Sequence, residues 1–139
     1  MYPLTFFVKT LGPNTAGEAR GPIIRIKEEY KEDTGIYYHE LLHVKQWATL
    51  SLFAIPIAYI LIQLGLQEYV GLSLMAVALH AALYRFAPGY RLWAESEAYK
   101  KQAKYYQDDR RPLFAEFISA HYNLNITPEE ALKILNKSS

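Results

Sequence analysis

The segment His39-Glu40-Leu41-Leu42-His43 places two imidazoles four residues apart, with a carboxylate directly after the first. On an α-helix, residues four apart lie on one face, one turn from each other. Two neutral imidazole nitrogens in that arrangement can bind one tetrahedral zinc ion. Glu40 lies about 100° around the helix from His39, too far for an equivalent ligand but within reach of a water on the metal. The pattern predicts two metal ligands, His39 and His43, and one general base, Glu40.

A catalytic zinc site needs a third protein ligand, and the chain has no cysteine to supply it. The candidates are His80, His121, Glu95 and Glu97. Glu97 has lysines three and four residues later, the spacing of a solvent-exposed ion-pair face. Glu95 has alanine and tyrosine at those positions, a small and partly apolar face that suits packing against another helix. We therefore expect Glu95 to be the third ligand, Glu97 to lie at the surface or behind the ligands, and His121 to be structural.

Two stretches together resemble a known class of enzyme. His-Glu-Leu-Leu-His at 39–43 is followed by Val-Lys-Gln-Trp, and Glu-Ser-Glu-Ala-Tyr follows at 95–99. This resembles the zincin metallopeptidases whose third ligand is a glutamate (gluzincins), in particular small bacterial and phage-encoded peptidases, over roughly residues 21–105. The resemblance implies one zinc ion per chain held by His39, His43 and Glu95, with Glu40 as the base. It also implies a peptide or protein substrate.

The chain departs from the extended gluzincin pattern at one position. That pattern often has an aspartate four residues after the ligand glutamate, where this chain has Tyr99. Candidates for a group behind the ligands, or for a donor to the transition state, are Tyr90, Tyr99, His80 and Glu97. The alternative function is a non-catalytic structural or membrane-interaction protein, for example a phage or accessory component, that keeps the motif in a closed metal site. That alternative predicts a fourth protein ligand, His80 or Glu97.

The elements that must position these residues begin with a short β region. Leu4–Val8 is a candidate strand followed by a Gly/Pro/Asn-containing loop, and Ile23–Ile26 is the better candidate because it is β-branched and preceded by Gly-Pro. The resemblance implies that Ile23–Ile26 is an edge strand beside the active-site helix. Residues 28–33 predict a loop or short turn, and the active-site helix follows at about 35–50, with Thr34 and Gly35 as its turn or cap.

Residues 46–84 form the most apolar part of the chain. They contain one charged residue, Glu68, and predict a hydrophobic helical hairpin flanked by Lys45 and Arg85. A run of about 20 apolar residues can cross a bilayer as a helix. Lys45 and Arg85 would place both ends of a membrane hairpin on the cytoplasmic side. The hairpin predicts membrane contact, with a homo-oligomer or a buried monomeric core as alternatives.

The remaining segments are helical. Residues 87–90 predict a turn, residues 91–102 a helix that carries Glu95, and Leu113–Tyr122 an amphipathic helix. Thr127 predicts the N-cap of a last helix, with proline and two glutamates after it. We expect one α+β, mostly α-helical domain over residues 1–139, a minimal zincin-like unit in which residues 108–139 form a C-terminal helical extension.

Composition narrows the classes of function. A net charge of +1 argues against electrostatic nucleic-acid binding. The absence of cysteine excludes a disulfide framework and fits a reducing compartment. The first ten residues lack a basic segment followed by a long apolar run, so we expect no secretory signal and a cytoplasmic or membrane-associated protein.

Overall fold

The computed structural model describes residues 3–137, which form a mostly helical α+β fold, and the predicted fold class is confirmed. The strands are β1 (Leu4–Val8), β2 (Gly17–Arg20) and β3 (Ile23–Lys27). The α-helices are α1 (Thr34–Ser51), α2 (Ala54–Gln63), α3 (Met75–Phe86), α4 (Pro88–Ala103), α5 (Arg111–His121) and α6 (Pro128–Asn136). Two 3-10 segments, Glu28–Tyr30 and Gln67–Leu74, precede α1 and α3.

The three strands form one sheet with β3 in the centre, in the order β1-β3-β2. β3 pairs in parallel with β1 and antiparallel with β2. The expected edge position of Ile23–Ile26 is therefore wrong, and β2, where the sequence predicts a loop, is the edge strand that contacts α1. β2 and β3 form a hairpin around Gly21, whose φ of 58° is accessible to glycine at no steric cost.

Two apolar clusters hold the helices in place. The first joins the sheet to α1 and contains the buried residues Ile24, Ile26, Ile36 and Val44. The second joins α4 to the C-terminal helices and contains Tyr99, Phe114, Ala115, Ile118, Ala131 and Leu135. α1 and α4 therefore each have a core of their own, and the predicted site residues lie where these two helices meet.

α1 begins one residue before the predicted helix and ends one residue after it. Its N-cap is Asp33, which accepts a hydrogen bond from the backbone N–H of Ile36 at 3.0 Å, so Thr34 and Gly35 are helical rather than capping residues. A Cβ atom at Gly35 would lie 2.6 Å from the hydroxyl of Tyr106, which itself donates to Asp33. This contact ties the start of α1 to the segment that follows α4.

The predicted hydrophobic hairpin is present, and it projects from the body. The helix breaks at Leu52 and Phe53 because Pro56 has no N–H for the carbonyl four residues earlier. α2 ends at Gln63 and is closed by a Schellman arrangement around Gly65, whose φ is 72°. The Gly65 N–H donates to Ile62 O, and the Leu66 N–H donates to Leu61 O. α2 buries none of its residues, so the alternative of a buried monomeric core is wrong.

The C-terminal helices pack against α4 as an extension. The predicted N-cap at Thr127 is confirmed, and Thr127 and Glu130 form a reciprocal capping box. The predicted turn at residues 87–90 is shorter than expected, because Pro88 already occupies the first turn of α4, where its missing N–H costs no hydrogen bond.

The α4–α6 cluster predicts a stability difference between two aliphatic residues of α5. Ile118 is fully buried and Leu113 is 42% exposed. We expect Ile118→Ala to lower the free energy of unfolding by about 2–5 kcal/mol because it leaves a cavity. Leu113→Ala should lower it by less than about 1 kcal/mol. Chemical denaturation of the full chain measures both, and equal losses would contradict the assigned core.

Candidate metal centre

The side chains of His39, His43 and Glu95 converge between α1 and α4. The two Nε2 atoms of the histidines lie 3.2 Å apart. The carboxylate of Glu95 lies 3.4 Å from Nε2 of His39 through one oxygen and 3.3 Å from Nε2 of His43 through the other. All three side chains are buried. The structure thus brings together the three residues that the sequence predicts as ligands.

Two small residues flank Glu95 on α4. Ala94 and Ala98 are fully buried on α4, on either side of Glu95 and one turn apart. The side-chain amide of Gln46 on α1 donates to the backbone carbonyl of Ala94 at 3.3 Å. This bond ties α4 to α1 one residue before Glu95.

The three donor groups could hold a metal ion. In a tetrahedral zinc site with bonds of about 2.0–2.1 Å, neighbouring ligand atoms lie about 3.4 Å apart. The two Nε2 atoms are 3.2 Å apart, and each lies 3.3–3.4 Å from its nearest Glu95 oxygen, close to this value, with the two histidines facing different oxygens of the carboxylate. One oxygen of Glu95 and Nδ1 of His39 are buried with no hydrogen-bond partner among the described residues. A cation would satisfy that carboxylate oxygen.

The electrostatics of the cluster favour positive charge. Burial alone would raise the pKa of Glu95, but the neighbouring His43 and His39 outweigh it and hold that pKa well below its usual range. Burial alone would lower the pKa of His43, but the Glu95 carboxylate raises it to about 9. A buried carboxylate between two imidazoles therefore stabilises a positive charge where the donors converge, whether a proton or a metal ion carries that charge.

Glu40 lies beside the cluster and is buried. A Cβ atom at Gly17 would lie 3.0 Å from Cγ and from Oε1 of Glu40, so any larger residue there would require the Glu40 side chain to shift. Burial raises the pKa of Glu40, against the lowering effect of His39 and His43. A carboxylate with a raised pKa is better matched to taking up and releasing a proton near neutral pH.

An open cleft of about 570 Å³ gives access to the site. His39 and Glu40 line it on the α1 side, with Gly17 from β2 and Tyr99 from α4. Its far end is formed by α5 and the segment before it, where His121 is exposed. A ligand in this cleft can therefore reach both the first histidine and the glutamate beside it.

Gln46 lies behind the ligand His43, and the sequence predicts no role for it. Nδ1 of His43 lies 2.9 Å from the side-chain oxygen of Gln46. Because an amide oxygen only accepts, the proton is on Nδ1 and Nε2 is left to bind a metal. The spacing of three residues on a helix is the signal that could have predicted this contact.

Two tyrosines complete the surroundings of the cluster. Tyr84 on α3 donates its hydroxyl to Glu95, a contact that no sequence pattern indicated. Tyr99 packs its ring edge-on against His39, with ring centres 4.5 Å apart, and shares a hydrogen bond of 3.0 Å with the hydroxyl of Tyr122. Tyr99 thus occupies the place behind the ligands but makes a ring contact there instead of a carboxylate hydrogen bond.

The other candidate residues lie outside the three-ligand group. His80 shares a hydrogen bond of 2.7 Å with the hydroxyl of Tyr90, and its ring centre is 6.5 Å from that of His43. Glu97 pairs with Lys100 at 2.9 Å, the predicted ion-pair spacing. His121 contacts Phe117 and is not part of the ligand group. Among residues 3–137, the group contains three protein ligands.

Comparison with protein-family models, with curated proteins and with solved structures gives no match. The class of site is therefore defined by its geometry: a His-His-Glu cluster between two helices of an α+β fold, with a buried glutamate beside it.

The geometry predicts the metal content of two glutamate variants. We expect the wild-type chain to bind about one Zn²⁺ per molecule and Glu95→Ala to lose most of it, because two imidazoles alone do not complete the site. Glu97→Ala is the matched control and should keep the metal. Elemental mass spectrometry of the purified chains gives the ratios. Equal metal content in all three would show that Glu95 is not a ligand.

The contact between Gln46 and His43 predicts that substitutions of Gln46 weaken zinc binding to different degrees. Gln46→Ala should weaken zinc binding by about 10–100-fold, because His43 loses the partner that fixes its tautomer. Gln46→Glu keeps an oxygen acceptor for Nδ1 but loses the bond to the Ala94 carbonyl, so its affinity should lie between those of Gln46→Ala and the wild type. Competition with a chromogenic chelator measures the dissociation constants. An unchanged affinity in Gln46→Ala would mean that this hydrogen bond does not orient the ligand.

Proposed function

We propose that this chain is a zinc-dependent hydrolase of the metallopeptidase class. The observation that carries the proposal is the placement of a buried Glu40 at the open cleft, beside three donor groups that could hold a metal ion. The resemblance of the two motifs to gluzincins supports the same class. His39, His43 and Glu95 would hold the ion, and a bound zinc ion lowers the pKa of a water ligand and polarises a carbonyl oxygen.

The residues of the chain have separate tasks in this proposal. Glu40 takes the proton from the attacking water and later gives it to the leaving amine. Its burial and its raised pKa suit both steps. Gln46 orients His43, and Tyr84 holds Glu95 by donating to its carboxylate. The packing of Tyr99 against His39 restricts the rotation of that imidazole.

A peptide is the substrate that fits the surroundings of the cleft. β2 is an edge strand of the described sheet, and its first residue, Gly17, lines the cleft next to Glu40. An exposed strand edge can bind an extended peptide through backbone hydrogen bonds. A peptide paired with β2 would thus run past the base and the His-His-Glu cluster.

An open coordination position distinguishes this proposal from a non-catalytic metal site. A closed structural site uses four protein ligands, whereas a catalytic site uses three and leaves a position for water or substrate. The ligand group in residues 3–137 has three members, and both residues that a closed site would require are engaged elsewhere, His80 with Tyr90 and Glu97 with Lys100. This arrangement supports the catalytic class.

The role of Glu40 predicts that metal binding and turnover can be separated. Glu40→Ala should retain zinc but lose about 10²–10⁴-fold in the rate of hydrolysis, because the general base is gone. His43→Ala should lose both metal and activity, and Glu116→Ala, at an exposed position on α5, should lose neither. Release of fluorescent fragments from labelled casein, beside metal analysis, provides the readout. Full activity in Glu40→Ala would rule out this mechanism.

A further inference from the structure

The segment from residue 48 to residue 79, called the apolar hairpin below, projects from the body with its hydrophobic side chains exposed. It consists of the end of α1, α2, the 3-10 segment and the first turn of α3. Its exposed large apolar residues are Leu52, Phe53, Ile55, Ile57, Tyr59, Ile60, Ile62, Leu64, Leu66, Tyr69, Leu72, Leu74, Met75, Val77 and Leu79. Water-exposed monomers rarely present an apolar surface of this extent, so the hairpin requires a covering partner.

The distribution of these residues around α2 distinguishes between partners. Ile55, Ile57, Tyr59, Ile60 and Ile62 are all exposed, and at 100° per residue they span about 220° of the helix circumference. The remaining side carries Ala54, Ala58 and Leu61, which are also apolar and are partly buried. A second copy of the chain would cover one face and leave the opposite face in water. A helix that is apolar all round is covered completely only by a large protein core or by lipid.

The charges mark the limits of an apolar layer. Between Lys45 and Arg85 the sequence has one charged residue, Glu68, which lies at the turn between the two arms. Lys45 and Arg85 lie at the base, next to the body. A hydrocarbon layer excludes charge along the arms and admits it at the ends, and basic residues next to membrane segments favour one side of the membrane.

The length and backbone of the hairpin also suit a bilayer. The outgoing arm of about 17 residues is roughly 25 Å long, close to the ~30 Å hydrocarbon core. By length and composition alone, the helical stretches Thr34–Gln63, which covers α1 and α2, and Gln67–Phe86, which covers the 3-10 segment and α3, could cross a membrane. At the end of α2, Gly65 and Leu66 donate their N–H groups back to the helix, so the chain reverses without leaving these donors unpaired. Unpaired backbone groups are costly in hydrocarbon.

We propose that the apolar hairpin inserts into a lipid bilayer and holds the His-His-Glu site just outside its surface. His43 precedes the hairpin by five residues, roughly 8 Å along the same helix. Trp47 lies between them and donates its ring N–H to the backbone carbonyl of Val77 at 3.0 Å, which ties the two arms together at the base. The proposal does not depend on whether the site hydrolyses peptides.

Flotation with vesicles tests the insertion directly. The full-length wild-type chain, reconstituted from detergent into vesicles of phosphatidylcholine and phosphatidylglycerol, should float with them and resist extraction by alkaline carbonate. The double variant Ile57→Lys, Ile60→Lys should lose most of this association. Leu113→Lys is the matched control on the body and should float like the wild type. Retained zinc content in each variant shows that the body has folded.

Cysteines introduced one at a time provide a second measurement, the accessibility of single positions, because the sequence itself contains no cysteine. Ile60→Cys, in α2, should react with a membrane-impermeant maleimide at least about tenfold more slowly in vesicles than in denaturant, because the reagent does not enter hydrocarbon. Lys133→Cys, at an exposed position on α6, should react at similar rates in vesicles and in denaturant. A wild-type chain that remains a soluble oligomer without lipid or detergent, with Ile60→Cys already protected, would overturn the proposal. Rapid labelling of Ile60→Cys in vesicles would overturn it too.

Discussion

The structure depends on a carboxylate buried between two imidazoles. Glu95 is 2% exposed, and burying an ionised carboxylate costs several kcal/mol unless opposite charge or hydrogen-bond donors surround it. Here His39 faces one carboxylate oxygen, and His43 and the hydroxyl of Tyr84 face the other. The same arrangement attracts a cation. The positive charge that a buried Glu95 needs beside it could therefore be supplied by a metal ion.

Two separate cores make that juxtaposition rigid. The sheet packs on α1 and fixes the histidines, while α5 and α6 pack on α4 and fix Glu95. Neither cluster includes the ligands themselves, so the polar site does not interrupt an apolar core. The two halves meet where α4 packs on α1, and the side chain of Gln46 donates to the backbone carbonyl of Ala94, the residue before Glu95.

Local patterns predicted the parts of the site that depend on helix geometry, and missed those that depend on long-range packing. Two of these patterns each describe one face of a single helix: the spacing of His39 and His43, and the residues one turn after Glu95. The structure brings the three predicted ligands together as expected. β2 was missed because four residues beginning with glycine carry little strand signal, and its pairing with β3 is decided by the turn at Gly21. The contact of Tyr84 with Glu95 joins separate helices, and nothing in the spacing of those residues specifies it.

The position of the hairpin in the chain links the proposed membrane contact to the site. Both histidines precede the hairpin and Glu95 follows it, so the chain enters and leaves the hairpin through the helices that surround the ligands. α1 runs without a break from His39 to Ser51, and α3 carries Tyr84 to within hydrogen-bonding distance of Glu95. A bilayer that holds the two arms therefore also sets the orientation of the cleft. Under the proposed peptidase function and membrane insertion, the substrates that meet the site most often would be peptide segments held near the same membrane surface, because confinement raises their effective concentration.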